Sequence, residues 1–300
     1  MKRSCNSEKK DLKYLVYLLF LEFCTMKLVK ELPKSLAYSL YLNLIPSKLL
    51  CHSRKETLPV IVSMTSIPSR LNSIHLVIKS IFNQTHLPKK IVLWLHHDLK
   101  NSLPEKLKTL ESTLFEIRYS HLTCSHRKLI HSLKEFPDDI IITCDDDLIY
   151  NKHWLSKLFA EHQKHPNDII ANTTYQIKFD SEGNYLPYKQ WKYKEETFKP
   201  IRAIPVGAWG ILYPPKLLSV QIFDETLFLK LTPKADDLWF KAMAILNGTI
   251  SRQSENLPKD PIPIIGTQKV ALKNDNVNKN KNDLQWKDLS KHFNLIEILK

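Results

Sequence analysis

Along the first half of the chain, short runs of branched apolar residues alternate with segments whose apolar residues recur every three or four positions. Pro59 to Met64 reads PVIVSM and Ile91 to Leu95 reads IVLWL, runs whose length and composition predict buried strands. Between them, LNSIHLVIKSIFNQ places Ile74, Val77, Ile78 and Ile81 on one helical face. Farther on, LPEKLKTLESTL predicts a helix, FEIRYS a strand, SHRKLIHSLKEF a helix that Ser125 would cap, and DIIITC another strand. Strand, helix and strand with short joints form βαβ units, and those imply a parallel sheet. After Tyr150, NKHWLSKLFAEHQKHP is an amphipathic helix closed by Pro166. The stretch from DIIANTTYQIKF to PVGAWGILYPP is richer in strand and aromatics and reads as antiparallel or irregular. ADDLWFKAMAILNG is a bounded helix with acids at its start and Gly248 beyond its end, and WKDLSKHFNLIEIL a last amphipathic helix. The expected organisation is a helical extension over 1–57, an α/β domain over 58–250, and a polar linker with a C-terminal helix over 251–300.

Composition narrows the chemistry. The chain has 300 residues, long enough for a real core, and only 5 Gly against 17 Pro, so Gly-rich phosphate loops of the P-loop and dinucleotide types are absent. Five scattered cysteines with no C-x-x-C pair argue against a disulfide framework or a zinc site and fit a reducing, cytoplasmic setting. A net charge of +13 suits anionic partners: lipid, nucleic acid or an anionic substrate. The apolar run from Tyr14 to Met26 is interrupted by Glu22 and is too short to span a bilayer. It reads either as an amphipathic helix on the inner face of the cytoplasmic membrane or as a helix packed on the main domain.

The strand IIITC runs into Asp145, Asp146 and Asp147. In an extended chain Asp145 and Asp147 share one side, and Asp146 points away. Ligands of open parallel sheets gather beyond the carboxyl ends of the strands, where these acids fall. Their hard oxygens favour Mg²⁺ or Mn²⁺ shared with a diphosphate; the plain alternative is a solvated turn. Arg127 and Lys128 open the preceding helix and suit a phosphate at its N-terminus. Asp236 and Asp237, at the head of a later helix, suit capping, a catalytic base, or both. GAWGILYPP suits a close backbone turn, and its Trp209 a place in the core.

VIVSMTSIPSRLNSIHLVIKSIFNQTHLPKKIVLW, the later CDDDLIY and then PKADDLWFKAM stand in an order that resembles the bacterial family 2-like glycosyltransferases of the GT-A fold. The resemblance covers roughly Pro59 to Gly248. It implies a nucleotide-diphospho-sugar transferase fold, a Rossmann-like, mostly parallel sheet flanked by helices, here with helical N- and C-terminal extensions. It also implies a metal-dependent, inverting hexosyl transfer from a nucleotide-sugar donor to a glycan or lipid-linked surface glycan. On this reading Asp147 holds the metal, Asp145 holds the ribose or the metal through water, and Asp146 makes a local structural hydrogen bond. Thr65, Ser66, Arg70 and Lys128 bind the donor, Trp209 and Gly210 meet the acceptor, and Asp237 or Asp236 is the base. Members often end the second strand in an acidic pair that touches the nucleotide base; here it reads LHHDL, which leaves Asp98 alone. Competing readings are an Asp-x-Asp phosphohydrolase or nucleotidyltransferase and a polyanion-binding protein, although no nucleic-acid-binding motif accompanies the charge.

Overall fold

The structure, a computed structural model, describes residues 31–51, 55–192, 199–267 and 280–300. The Tyr14–Met26 run therefore lies outside the described residues, as does most of the polar linker. Strands β1 (Thr57–Thr65) and β2 (Leu87–His96) run parallel, with Val62 opposite Ile91 and Thr65 opposite Trp94. Because strand side chains alternate, Val60, Val62 and Met64 enter one core layer while Ile61 enters the other. Ile91, Leu93 and Leu95 likewise join the first layer, and Val92 and Trp94 the second. Strands apolar on both faces belong inside a helix-covered parallel sheet.

β3 (Phe115–Ser120) pairs parallel with β2, and β4 (Ile140–Thr143) parallel with β1. β5 (Leu148–Ile149) follows the acidic turn, and β6 (Ile169–Ala171) lies toward the far edge. The aromatic middle stretch supplies β7 (Thr174–Gln176), β8 (Ala203–Pro205) and β9 (Ile211–Tyr213). β7 pairs antiparallel with β8, and β9 lies antiparallel to both β4 and β6, as that stretch led us to expect. With β10 (Ser251–Gln253) parallel to β6, the seven-stranded sheet has the order β10-β6-β9-β4-β1-β2-β3. This is the mostly parallel, helix-flanked GT-A arrangement.

Helix α1 (residues 31–44), α2 (Ser47–Leu50), α3 (Ile74–Phe82) and α4 (Glu105–Lys108) pack on the first face. The second face carries α5 (Arg127–Glu135), and α6 (Trp154–Lys164) returns to the first. α7 (Glu225–Leu231), α8 (Asp236–Leu246), α9 (Lys281–Phe293) and α10 (Leu295–Leu299) complete the second. Four expectations need correction. The segment expected to be helical over 103–114 forms a single turn, because Ser112 N–H already donates to the Phe115 carbonyl to lead into β3. Ser125 does not cap α5, whose N-cap is His126 without a side-chain bond. The last helix is two, split where Asn294 takes a left-handed conformation at φ 51°. The α/β domain also continues past residue 250, since β10 is an edge of its sheet and β11 (Ile262–Pro263) pairs antiparallel with β5. Trp286 of α9 is buried edge-on against Trp191, ring centroids 5.5 Å apart, so the C-terminal helices close the core.

Candidate active site

The acids do not continue an extended strand. β4 stops at Thr143, Cys144 N–H donates to the Ser63 carbonyl, and the chain turns at Asp146 and Asp147. Asp145 N–H donates to the buried Tyr150 hydroxyl at 2.9 Å, and that hydroxyl donates to the Ala208 carbonyl at 3.0 Å. Tyr150 thus props the turn from beneath. The strict alternation expected of the three acids is lost: Arg70 reaches both Asp146 and Asp147, the second at 2.9 Å. Asp146 also accepts from Ser66 Oγ at 2.6 Å, so its bonds are long-range rather than local. Burial raises the Asp146 pKa, and Arg70 and Ser66 only partly offset it. Burial also opposes the Arg70 charge, yet Asp146 and Asp147 outweigh it and hold the guanidinium pKa above its ordinary value. Asp145 remains about a third open to solvent, its side chain 34% exposed.

The second acidic pair meets the first through one lysine. Lys128 Nζ lies 3.3 Å from Asp145 Oδ1 and 3.0 Å from Asp236 Oδ2, its side chain 7% exposed. Burial disfavours its charge, but Asp236, Asp145 and Asp237 together raise its pKa well above the lysine norm. The expected phosphate partner is replaced by these carboxylates, because the helix start is enclosed by α8 and the acidic turn. Asp236 is buried, and Lys128 overcomes the desolvation and lowers its pKa. Asp237 points to the 3₁₀ turn Gly207–Trp209, where Gly207 N–H donates to Oδ2 at 3.1 Å. Its Oδ1 is buried and has no hydrogen-bond partner among the described residues. Burial and then the adjacent Asp236 push the Asp237 pKa up to about 7. A side chain at Gly207 would crowd this arrangement, since a Cβ there would stand 3.1 Å from Asp237 Oδ1 and 3.5 Å from Lys128 Nζ.

The remaining predicted residues divide. Thr65 Oγ1 donates to the Trp94 carbonyl at 2.8 Å and accepts from Arg127 Nε, which fixes the loop after β1. Buried Arg127 further donates to the carbonyls of Leu122 and Ser66, each at 2.6 Å, so its observed bonds all go to neutral oxygens. Ser66 and Arg70 stand at the acidic turn; Thr65 supports them from behind. Asp98 is not brought to that turn. It contacts His96 and His97 at the tip of β2, a trio exposed at His97 and Asp98 and half-buried at His96, whose ligand atoms lie within 4.8 Å of one another. Trp209 is half-buried, and its carbonyl accepts from Trp154 Nε1 at 2.8 Å and Asn172 Nδ2 at 2.9 Å. Gly210 is buried at φ 97° with the Trp154 indole where a Cβ would go, so packing explains this glycine better than acceptor contact does. Tyr150, Gly207 and Trp154 escaped the sequence reading. Their apolar or small character carried no chemical signal; only the turn-forming glycine in GAWG hinted at it.

Does a hard cation fit here? Among the described residues, five carboxylates, Asp145, Asp146, Asp147, Asp236 and Asp237, gather around Arg70 and Lys128. The donors at the acidic turn are all oxygen, and Asp145 is open to solvent, which suits Mg²⁺ or Mn²⁺. The imidazoles at His96 and His97 favour borderline metals instead.

The profile of the family "Glycosyl transferase family 2" matches residues 69–227. No curated protein matches the sequence. Among solved structures, 4-diphosphocytidyl-2C-methyl-D-erythritol synthase from Anaerococcus prevotii DSM 20548 shares 10% identity, with 79% of this chain and 99% of that one covered and a TM-score of 0.44. Residues 1–349 of S. aureus TarS in complex with UDP-GlcNAc share 18% identity, with 68% of this chain and 57% of that one covered and a TM-score of 0.40. Likeness at this level says nothing of what this chain binds. The profile takes in the Arg70 loop, Lys128, the acidic turn and Trp209, and ends shortly before Asp236. Matched over more than half its length across that constellation, the chain belongs to glycosyl transferase family 2 and is a glycosyltransferase.

Proposed function

We propose that this enzyme moves a sugar from a nucleoside-diphosphate donor to a glycan or lipid-linked surface glycan, with inversion and with a divalent cation at the acidic turn. The observation that carries the reading is Lys128, which ties Asp145 at the donor end to Asp236 beside Asp237. Asp145 and Asp147 would hold Mg²⁺ or Mn²⁺, which when bound supplies Lewis-acid stabilisation of the departing diphosphate. Arg70 adds fixed positive charge at the same turn. Asp237 acts as the base. Its carboxylate takes the proton of the acceptor hydroxyl as that oxygen attacks the anomeric carbon. The bond from that carbon to the diphosphate oxygen breaks in the same displacement, and the nucleoside diphosphate leaves with the bonding pair. One base and one displacement give inversion. A pKa near 7 suits the task, because half the population is ionised at neutral pH while the carboxylate stays basic enough to take a proton.

Trp209, half-buried at the end of the Gly207–Trp209 turn, would stack on a sugar ring. Among the described residues no helix is long and apolar enough to cross a membrane. The lipid-linked acceptor would be met at the inner face of the cytoplasmic membrane. The test is a thermal-shift screen of nucleotide sugars with and without Mn²⁺, followed by product analysis with the best donor. A metal-dependent hit that Asp147→Asn abolishes while the variant stays folded supports the reading. Phosphate release from simple esters, with no response to any nucleotide sugar, overturns it in favour of a phosphohydrolase.

A further inference from the structure

Helix α1 turns its apolar side outward. Leu32, Leu36, Leu40 and Leu44, spaced by four, are 43%, 56%, 60% and 72% exposed, and Tyr38 and Tyr41, farther round the helix, 45% and 44%. The inward side is engaged. Leu42 is buried, Ser35 Oγ donates to the Pro263 carbonyl at 2.6 Å, and Lys79 Nζ donates to the carbonyls of Leu42 and Ile45 at 2.7 and 2.9 Å. The outward leucines therefore do not await the core of this domain. An apolar strip of that extent on a surface helix marks an interaction site.

We propose that the outer face of α1 is a contact for an anionic phospholipid bilayer, lying in the headgroup plane with its leucines in the acyl boundary. Charge complementarity selects this occupant. Lys34 and Lys48 are exposed on the segment that carries the strip, and Glu31 is the one acid in residues 31–51. The preceding thirty residues repeat the basic, leucine-rich composition. A second copy would set like charges against one another, whereas anionic headgroups answer them. Tyr41, one turn from Leu44, suits the interface, where an apolar ring and a polar hydroxyl are both satisfied. The contact also has a short route to the site. α1 bonds Pro263 through Ser35, and the next residue, Ile264, donates its N–H to the Asp147 carbonyl at 2.9 Å. A bilayer under α1 thus lies next to the strand that buttresses the acidic turn. Only the further step, that this presents a lipid-linked acceptor, rests on the proposed function.

The experiment is co-sedimentation of the full chain with vesicles of phosphatidylglycerol and phosphatidylcholine, beside the Leu36→Glu/Leu40→Glu variant, with circular dichroism to confirm equal folding. The wild type should pellet, less so as salt rises or phosphatidylglycerol is withdrawn, and the variant should bind at least tenfold more weakly. Leu40→Trp gives an independent reading, an emission shift to the blue on vesicles relative to the wild type. Equal binding by the charged variant, pelleting without a blue shift, no binding by the wild type, or lipid-free self-association that the variant dissolves would each overturn the proposal. None of these readouts uses turnover, so a failed membrane contact and a failed assignment of glycosyl transfer remain distinguishable.

Discussion

Lys241 sits one helical turn beyond Asp237 on α8, 1% exposed, and its amine has no hydrogen-bond partner among the described residues. With Asp237, Tyr213 and Ser251 it lines a crevice too narrow to admit water. Burial drives its pKa from the usual 10.5 down to about 7. A tenfold change in proton affinity is worth about 1.4 kcal/mol, so this depression costs on the order of 4 kcal/mol of folding stability at neutral pH. The direction follows from proton counts. Between pH 7 and 10.5 the unfolded chain keeps this proton and the folded chain has lost it, so stability rises with pH across that window. Below it both states are protonated and the full cost applies. Lys241→Met keeps the length and removes the amine. The variant should be more stable at pH 7 by roughly 2–4 kcal/mol, with the advantage shrinking by about 3 kcal/mol by pH 10. Urea unfolding of both proteins, followed by circular dichroism at several pH values, reads the difference and cancels every group the two share. Parallel pH curves, or a variant less stable throughout, would refute the reasoning by showing that the amine has found a partner.

Other expectations follow from the site. Lys128→Met strands Asp145 and Asp236 without their shared cation and should lower stability by about 3–5 kcal/mol in thermal or urea unfolding. Asp237→Asn should cut kcat by roughly 10²–10⁴ with little change in the donor KM. In the wild type the rate should rise with pH through about 7, as the base ionises, and steady-state pH profiles should show that limb missing from the variant. Gly210→Ala meets the Trp154 indole at 2.6 Å from a backbone at φ 97°, and should lose about 2–4 kcal/mol in the same unfolding assay.

What the sequence made legible was periodic. Val60 to Met64 and Ile91 to Leu95 are apolar on both faces, and such runs announce interior parallel strands at any position in a chain. FEIRYS matched β3 end to end. The acidic turn and the head of α8 were legible because carboxylates clustered beside apolar elements need a reason to be there. Partnership was not legible. Nothing local says that Lys128 faces Asp236, or that Arg70 faces Asp146 and not solvent, because those meetings depend on how loops fold back over the sheet edge. The helix expected at residues 103–114 failed for a similar reason: its leucines at 107 and 110 fit a helical face, but the turn into β3 claimed the backbone. Tyr150 and Gly207 carry no charge, and their service to Asp145 and Asp237 appears only in three dimensions.

The salt links of the site join residues from separate parts of the chain; Arg70 and Asp146, for example, stand 76 positions apart. Such partners meet only after the strands have found their register, and the same scaffold must hold like-charged carboxylates close beside them. The catalytic corner should consequently be among the first pieces to come loose. In rising denaturant, turnover should fade while the circular dichroism of the sheet and its helices is still intact.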